Sequence, residues 1–356
     1  MTRIIKKEKI MVDSGIFIGV FEPLHLGHLR SILAAAGICK NLYVVIIPQP
    51  NPHPDFNITL QDKARWLQMA CAELPFIQIR ILDSLELPVH EPQNATSVNI
   101  ELTNQKLNFV IETLALPPDS VLFTAESHPL AQPDIAPSLI LKIITTPNEP
   151  EFDTQAIAQN PIANWDAIHP VARRDYTKTV AIVGGESSGK TTLVYKLANY
   201  YGASLALEMG RLYVGTDLGG RETGLQYSDY APIALNHANA IREARANATA
   251  PITFVDTDFV TTQAFCEEYE GRTHPFLAAC IDEFCLDFTI MLDNNTLWVA
   301  DGMRSLGSLD ARTRFEQRLL NIFERHQIKP YLIDKPDYDA RYHEAIAFID
   351  KYVLKK

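Results

Sequence analysis

Short apolar runs alternate with helix-like periodicities along the first half of the chain. Residues 14–20 and 41–47 are apolar runs bounded by polar loops, which is typical of buried strands. Residues 28–36 and 61–74 carry apolar side chains at spacings of three and four, as helices with one buried face do. Strands that alternate with helices in this way predict a parallel, doubly wound α/β sheet.

The alternation continues to about residue 144 and then breaks. Further strands are predicted at 77–82, 121–124 and 141–144, and a helix at 103–116. Residues 145–175 contain several prolines and show little periodicity, so we predict a domain boundary in the later part of this stretch.

A second α/β pattern begins after the boundary, with helical stretches between its apolar runs. The predicted domains are therefore residues 10–168 and residues 176–356. The strands predicted for the second domain are 179–183, 204–207, 252–256, 288–292 and 330–333.

Composition narrows the class of protein. A chain of 356 residues is too long for one ordinary core, and its net charge of −11 disfavours a nucleic-acid backbone as partner. The five cysteines form no CxxC pair, which argues against a disulfide framework or a zinc site and favours the cytoplasm. We find neither a signal peptide nor an apolar run of about 18 residues, so we expect no membrane span.

The clearest chemical motif is GGESSGKT, which follows the strand at 179–183. It fits the pattern G-x-x-x-x-G-K-[ST], in which backbone N–H groups cradle phosphates at the start of a helix. Lys190 is expected to reach the β- and γ-phosphates, and Thr191 to supply a hydroxyl to Mg²⁺. The predicted ATP-binding residues are Gly184, Gly185, Glu186, Ser187, Ser188, Gly189, Lys190, Thr191 and Thr192.

Carboxylates follow two later strands of this domain. Asp256 ends the apolar run ITFVD and is predicted to hold Mg²⁺ together with Thr191. Asp258 either faces the acceptor or caps the next helix. Glu208, in the stretch EMGR with Arg211, either accepts a proton or binds ribose hydroxyls, or it is an ordinary surface acid.

The loop at 294–308 contains Arg304 between glycines and polar residues. A mobile lid here would bring Arg304 onto the transferring phosphate. The alternative is a surface loop with a salt-bridged arginine.

The first domain carries GVFEPLHLGH directly after its first strand. His25 and His28 fall on one face at the start of the next helix, where the helix dipole favours anions. Their spacing lacks the carboxylate partner of a metal motif, so we predict that the pair binds the phosphates of a nucleotide.

These stretches match known families. GVFEPLHLGH resembles the G-x-F-x-P-x-H-x-G-H motif of the nucleotidyltransferase superfamily at every fixed position. The second domain is similar to the ribosylnicotinamide kinase domain of the bifunctional NadR-type family, in TVAIVGGESSGKTTLVYKLAN, FVDTDFVTTQAFCEEYEGRTHPF and NNTLWVADGMRSLGS. The nucleotide-binding residues that the first motif implies are Gly19, Phe21, His25, Gly27 and His28.

The resemblance implies a Rossmann-like HxGH fold followed by a P-loop kinase fold, both with parallel sheets. It implies that the second domain phosphorylates nicotinamide riboside with ATP, and that the first adenylylates the resulting nicotinamide mononucleotide to NAD. The catalytic residues predicted for this transfer are Lys190 and Arg304, which stabilise the transferring group, and Glu208 or Asp258 as the proton acceptor. Implied substrate-binding residues are Glu208, Arg211, Tyr227, Asp256 and Trp298, with Tyr227 or Trp298 either stacking on the nicotinamide ring or packing in the core or lid.

Two further expectations come from the same resemblance. The helix-turn-helix repressor module of some members has no room before the first strand, so we expect no DNA binding. Related enzymes make a homo-oligomer plausible, whereas the sequence by itself does not fix the oligomeric state.

The first domain departs from the family at its second motif. Where I-S-x-T-x-x-R is expected, this chain reads FDTQAIA, with Asp153 at the serine position and Ala158 at the arginine position. Loss of a cation and gain of a carboxylate weaken a site that collects phosphate charge. We therefore expect weakened adenylyl transfer, or alternatively a domain that only senses nucleotides.

Overall fold

A computed structural model describes residues 11–48, 53–82, 104–117, 119–125, 140–144, 152–221, 224–296 and 308–356. The chain divides into two compact units, Met1–Asp175 and Tyr176–Lys356. The division falls at the end of the stretch of weak periodicity, residues 145–175.

The first unit is built on a five-stranded parallel sheet of order β3-β2-β1-β4-β5. Its strands are β1 Val12–Gly19, β2 Cys39–Ile46, β3 Ile77–Ile81, β4 Val121–Ala125 and β5 Ile140–Ile144. Its helices are α1 Leu26–Ala36, α2 Leu60–Ala70, α3 Asn104–Thr113, α4 Thr154–Gln159 and α5 Pro170–Tyr176.

The strand order of this unit reverses between β1 and β4. In open parallel sheets, ligands bind outside the carboxyl ends of the strands at such a reversal. The motif GVFEPLHLGH begins where β1 ends, so the sheet topology places it at this crevice. A core that includes Ile16, Val45 and Leu122 fixes the central strands beneath it.

The second unit has a parallel sheet of order β10-β9-β6-β8-β7. Its strands are β6 Lys178–Gly184, β7 Ser204–Ala206, β8 Ile252–Asp256, β9 Phe288–Leu292 and β10 Tyr331–Ile333. Its helices are α6 Lys190–Tyr201, α7 Met209–Asp217, α8 Tyr230–Ala246, α9 Phe259–Glu270, α10 Pro275–Glu283, α11 Leu309–Arg325 and α12 Tyr338–Phe348.

The predicted α/β class with two parallel sheets is confirmed. The main difference lies in the stretch of weak periodicity, whose described part contains the short helices α4 and α5. Helices of one or two turns are too short to show an amphipathic period, and α4 depends on its Asp153 cap. Within the described residues, no helix has both the length and the apolarity needed to cross a membrane.

Candidate active sites

The phosphate-binding loop connects β6 to α6. Its ends need left-handed backbone, since Gly184 has φ 144° and Gly189 has φ 87°. A side chain at Gly189 would also collide with the ring of Tyr338, because a Cβ atom there would lie 2.5 Å from that ring. Lys190 Nζ donates a hydrogen bond of 2.9 Å to the carbonyl of Gly185, which holds its charge over the loop.

Side chains from later parts of the chain donate hydrogen bonds to backbone carbonyls of this loop. The buried Arg341 of α12 donates through Nη1 to the carbonyl of Ser188 at 2.7 Å. Thr296 Oγ1 donates to the carbonyl of Ser187 at 3.1 Å. No sequence motif marks Arg341, because its partner in the loop is a backbone carbonyl that lies 153 positions earlier in the chain. These bonds fix the loop before any phosphate arrives.

The buried Asp256 and the partly buried Thr191 form a hydrogen-bonded pair beside the loop. Asp256 ends β8, the neighbour of β6, and Thr191 Oγ1 donates to its Oδ2 at 2.6 Å. Burial, assisted by the nearby Glu208 charge, raises the pKa of Asp256 to about 6. Its Oδ1 is buried and has no hydrogen-bond partner within the described ranges. A hydroxyl and a carboxylate with a spare oxygen are ligands that suit Mg²⁺.

These groups meet at one cavity of about 570 Å³. Its walls come from the loop with α6, from most of α7, from the end of β8, and from one face each of α8 and α9. The predicted residues that line it are Glu186, Ser187, Gly189, Lys190, Thr191, Thr192, Glu208, Arg211 and Asp256.

Glu208 occupies the first position before α7 but makes no capping bond. Its Oε2 lies 3.8 Å from Arg211 Nε, and Arg211 is half-exposed. A carboxylate that is not used to cap its helix remains able to meet a ligand in the cavity.

Asp258 takes the structural one of its two predicted roles. Its Oδ1 accepts bonds from Thr261 N and Thr261 Oγ1, each 2.8 Å long, and caps α9. The carboxyl is buried, which raises its pKa to about 6, and it does not line the cavity of the phosphate-binding loop. The structure therefore does not bring Asp258 to the predicted acceptor site.

Tyr227 also lies apart from this cavity. The Arg272 guanidinium sits 3.6 Å above its ring, and the His274 ring lies 4.5 Å away. The Tyr227 hydroxyl donates to the carbonyl of Thr273 at 3.1 Å. In this structure the ring thus contacts Arg272 and His274 rather than the cavity. Trp298 and Arg304 lie outside the described residues.

Sequence reasoning missed the aromatic and histidine wall of the cavity. Tyr230 and His237 of α8, with Phe265 and Tyr269 of α9, line it. A signal was present in α8, where Tyr230, Ile233 and His237 recur at spacings of three and four and therefore share one face. The pattern marks a buried face, although it does not say that the face borders a cavity.

In the first unit, the two motif histidines form a stacked pair at the start of α1. Their ring centroids are 3.6 Å apart. His25 Nδ1 accepts from the amide of His28 at 3.3 Å, and His28 Nδ1 accepts from the amide of His25 at 3.4 Å. Burial lowers the pKa of His25 to about 4 and the pKa of His28 well below its usual value, so both rings are neutral. The other motif residues, Gly19 at the end of β1, buried Phe21, and Gly27 in α1, surround this pair.

A buried ion pair, not found from the sequence, joins the motif to α2. Lys63 Nζ lies 2.5 Å from Glu22 Oε2, and both side chains are almost fully buried. Glu22 occupies a variable position of the motif. The pair ties the loop before α1 to the neighbouring helix.

The divergent second motif lies against the histidines. Thr154 Oγ1 shares a hydrogen bond of 3.1 Å with His25 Nε2, and the Phe152 ring stacks 5.9 Å from the ring of His25. Asp153 caps α4 by accepting from the amide of Ala156 at 3.0 Å. The Nε2 atom of His25 is therefore already bonded, and the next residue before Thr154, Asp153, places a carboxylate at the start of α4.

Comparisons with known proteins agree on both halves of the chain. Residues 16–108 match the cytidylyltransferase-like family, and residues 179–341 match the AAA domain family. The trifunctional NAD biosynthesis/regulator protein NadR of Escherichia coli is 37% identical over 347 residues, which cover 94% of this chain and 82% of that protein.

Solved structures give the same fold. A NadR protein in complex with NR superposes with a TM-score of 0.75 at 23% identity, and the match covers 96% of each chain. A NadR protein in complex with NAD and AMP-PNP superposes with a TM-score of 0.71 at 22% identity, again over 96% of each chain.

Proposed function

Because this chain belongs to the NadR family of NAD biosynthesis proteins, as its sequence motifs predict, we propose that its second unit is a nicotinamide riboside kinase. The observation that carries the proposal is the cavity that unites Lys190, the Thr191–Asp256 pair and Glu208. We assign this activity to residues 176–356 and the nucleotidyltransferase fold to residues 10–168.

In the proposed reaction, the phosphate-binding loop holds the β- and γ-phosphates of ATP, and Lys190 offsets their charge. Thr191 and Asp256 would hold Mg²⁺, which neutralises phosphate charge when bound. Glu208 accepts the proton of the riboside 5′-hydroxyl as that oxygen attacks the γ-phosphorus, and ADP leaves. Arg304 remains the candidate for the lid cation.

The electrostatics of the cavity suit this acceptor. Nicotinamide riboside carries a positive charge on its pyridinium ring. The carboxylates of Glu208 and Asp256 lie in the same cavity as the faces of Tyr230 and Phe265. Aromatic faces and carboxylates both attract a cationic ring.

For the first unit, we propose adenylylation of nicotinamide mononucleotide, in which its 5′-phosphate attacks the α-phosphorus of ATP and pyrophosphate leaves. The stacked histidines at the end of β1 support this assignment, because the sheet reversal lies there. The covering of His25 by residues of the second motif supports a slow reaction.

The contacts of Phe152 and Thr154 with His25 also favour a second candidate function for this unit, the sensing of nucleotides without turnover. In that case the second unit is the only enzyme of the two, and ATP or NAD bound to the first unit regulates it. Binding of either nucleotide without formation of product would distinguish the sensor from the transferase.

We further propose a cytoplasmic protein with small-molecule partners and no nucleic acid. All five cysteines are free thiols, as in a reducing compartment.

The test of the kinase is an assay of both half-reactions on one preparation, with wild type and Lys190→Ala. We expect the variant to lose nicotinamide riboside phosphorylation by about 100-fold or more, because it removes a cation from the transferring phosphate. Equal rates of nicotinamide riboside phosphorylation in the two proteins would contradict the kinase assignment.

A further inference from the structure

One polar group in the kinase cavity has no role so far. His237 of α8 is 1% exposed and lines the cavity. Its Nε2 is buried and has no hydrogen-bond partner in the part of the chain that the structure describes. A buried nitrogen without a partner is costly in a folded protein, and beside a cavity that cost is relieved when a bound ligand supplies the partner.

The surroundings of His237 identify the part of a ligand that would meet it. Tyr230 and Ile233 share its face of α8, and Phe265 and Tyr269 lie on the wall formed by α9. These walls are mostly apolar and aromatic, whereas the phosphate-binding residues lie in the loop between β6 and α6 and in the first turn of α6. Such a lining fits a flat ring that carries one polar substituent.

The charge state of His237 agrees with a cationic ring. Its imidazole packs 5.3 Å from the ring of Phe259, and burial lowers its pKa to about 4. It is therefore neutral at physiological pH, so it does not repel a pyridinium. A neutral imidazole has one N–H donor and one acceptor nitrogen.

We propose that His237 Nε2 hydrogen-bonds the carboxamide of the nicotinamide ring and makes the kinase selective for the amide. The inference rests on the proposed function of the second unit. A carboxamide has both an acceptor oxygen and N–H donors, so it complements either tautomer of the imidazole. The corresponding carboxylate only accepts, and it would be buried in a cavity that already holds the carboxylates of Glu208 and Asp256, which repel it.

The experiment compares two substrates in matched variants. The kcat/KM of ATP-dependent phosphorylation is measured for nicotinamide riboside and for the pyridinium riboside that lacks the carboxamide. For His237→Leu, we expect a loss of about tenfold or more with nicotinamide riboside, mainly in KM, and less than about twofold with the analogue. His237→Gln places an amide with a donor and an acceptor at this position, so its kcat/KM for nicotinamide riboside should exceed that of His237→Leu.

The control variant is Ile233→Val, which changes the same wall without touching a polar atom. We expect its effects on the two substrates to be equal. A structural role for His237 would likewise lower both activities equally, and that result would overturn the inference while leaving the kinase assignment intact.

Two outcomes do not depend on the folding of a variant. Wild-type protein should prefer nicotinamide riboside over the analogue, and over the riboside with a carboxylate, by about tenfold or more. Similar kcat/KM values for the amide and the analogue would overturn the inference alone. Absence of any turnover of nicotinamide riboside by the wild type would overturn the proposed function, and the inference with it.

Discussion

At the scale of single residues, environment separates two carboxylates that the sequence leaves equivalent. Both Glu208 and Asp258 follow strands, and both are acids at the start of a helix. Asp258 uses its oxygen to bond Thr261, while Glu208 makes no capping bond and lines the cavity. The position of each oxygen, rather than the residue type, therefore favours Glu208 as the proton acceptor.

Replacing these two acids should give different results. Glu208→Gln should lower kcat for nicotinamide riboside by about 100-fold, because the amide cannot accept the proton. Asp258→Ala should instead destabilise the second unit by about 1 kcal/mol through the lost cap and leave kcat nearly unchanged. Steady-state kinetics and urea unfolding of both variants check this, and a Glu208→Gln enzyme with normal kcat would contradict it.

At the scale of elements, α4 and the residues just before it contact the histidine pair of the first unit. Its six residues are too few to give a period, so the sequence predicts only that the second motif is altered. In the structure, this segment caps itself with Asp153 and bonds His25 through Thr154. A helix N-terminus favours anions, and here a carboxylate of the chain already stands there.

Removing this charge should improve adenylyl transfer. Asp153→Asn keeps a good helix cap but takes a negative charge from the helix end, so we expect the KM for ATP in NAD formation to fall by about three- to tenfold. Asp153→Glu retains the charge and serves as the control. If Asn and Glu variants behave alike, charge at this helix end does not limit the reaction.

At the scale of the whole molecule, the chain has two units with separate sheets, and each carries its motif after the strand at the centre of its sheet order. The reversal of strand order beside β1 and beside β6 opens a crevice at the carboxyl end of each strand. Since each sheet has its own buried core, each motif is supported within its own unit.

The two activities should therefore respond to mutation separately. His28→Ala should leave kcat/KM for nicotinamide riboside within about twofold of wild type, because each unit has its own core and site. Lys190→Ala should leave the yield of NAD from nicotinamide mononucleotide and ATP at the wild-type level. Loss of both products in either variant would show that the two sites depend on each other.

Much of the fold could be predicted because its signals are local. Strands β8 and β9 begin and end with the apolar runs from which they were predicted. The motif at Gly184 to Thr191 likewise fixes the turn after β6 and the start of the next helix. Where a helix end carries no such local signal, the predicted boundary differs from the observed one. The helix predicted at 61–74 ends at Ala70, where the chain makes turns stabilised by the bond from Leu74 N to Cys71 O.

The sequence by itself determined the family, the two α/β units and the two phosphate-binding motifs, because periodicity and fixed spacing act between residues that are close in the chain. Only the tertiary structure decided that Glu208 rather than Asp258 faces the kinase cavity, that His237 lines it, and that Thr154 bonds His25. Each of these depends on side chains from separate elements meeting in space. Such encounters follow from sheet order and packing, for which no local pattern is sufficient.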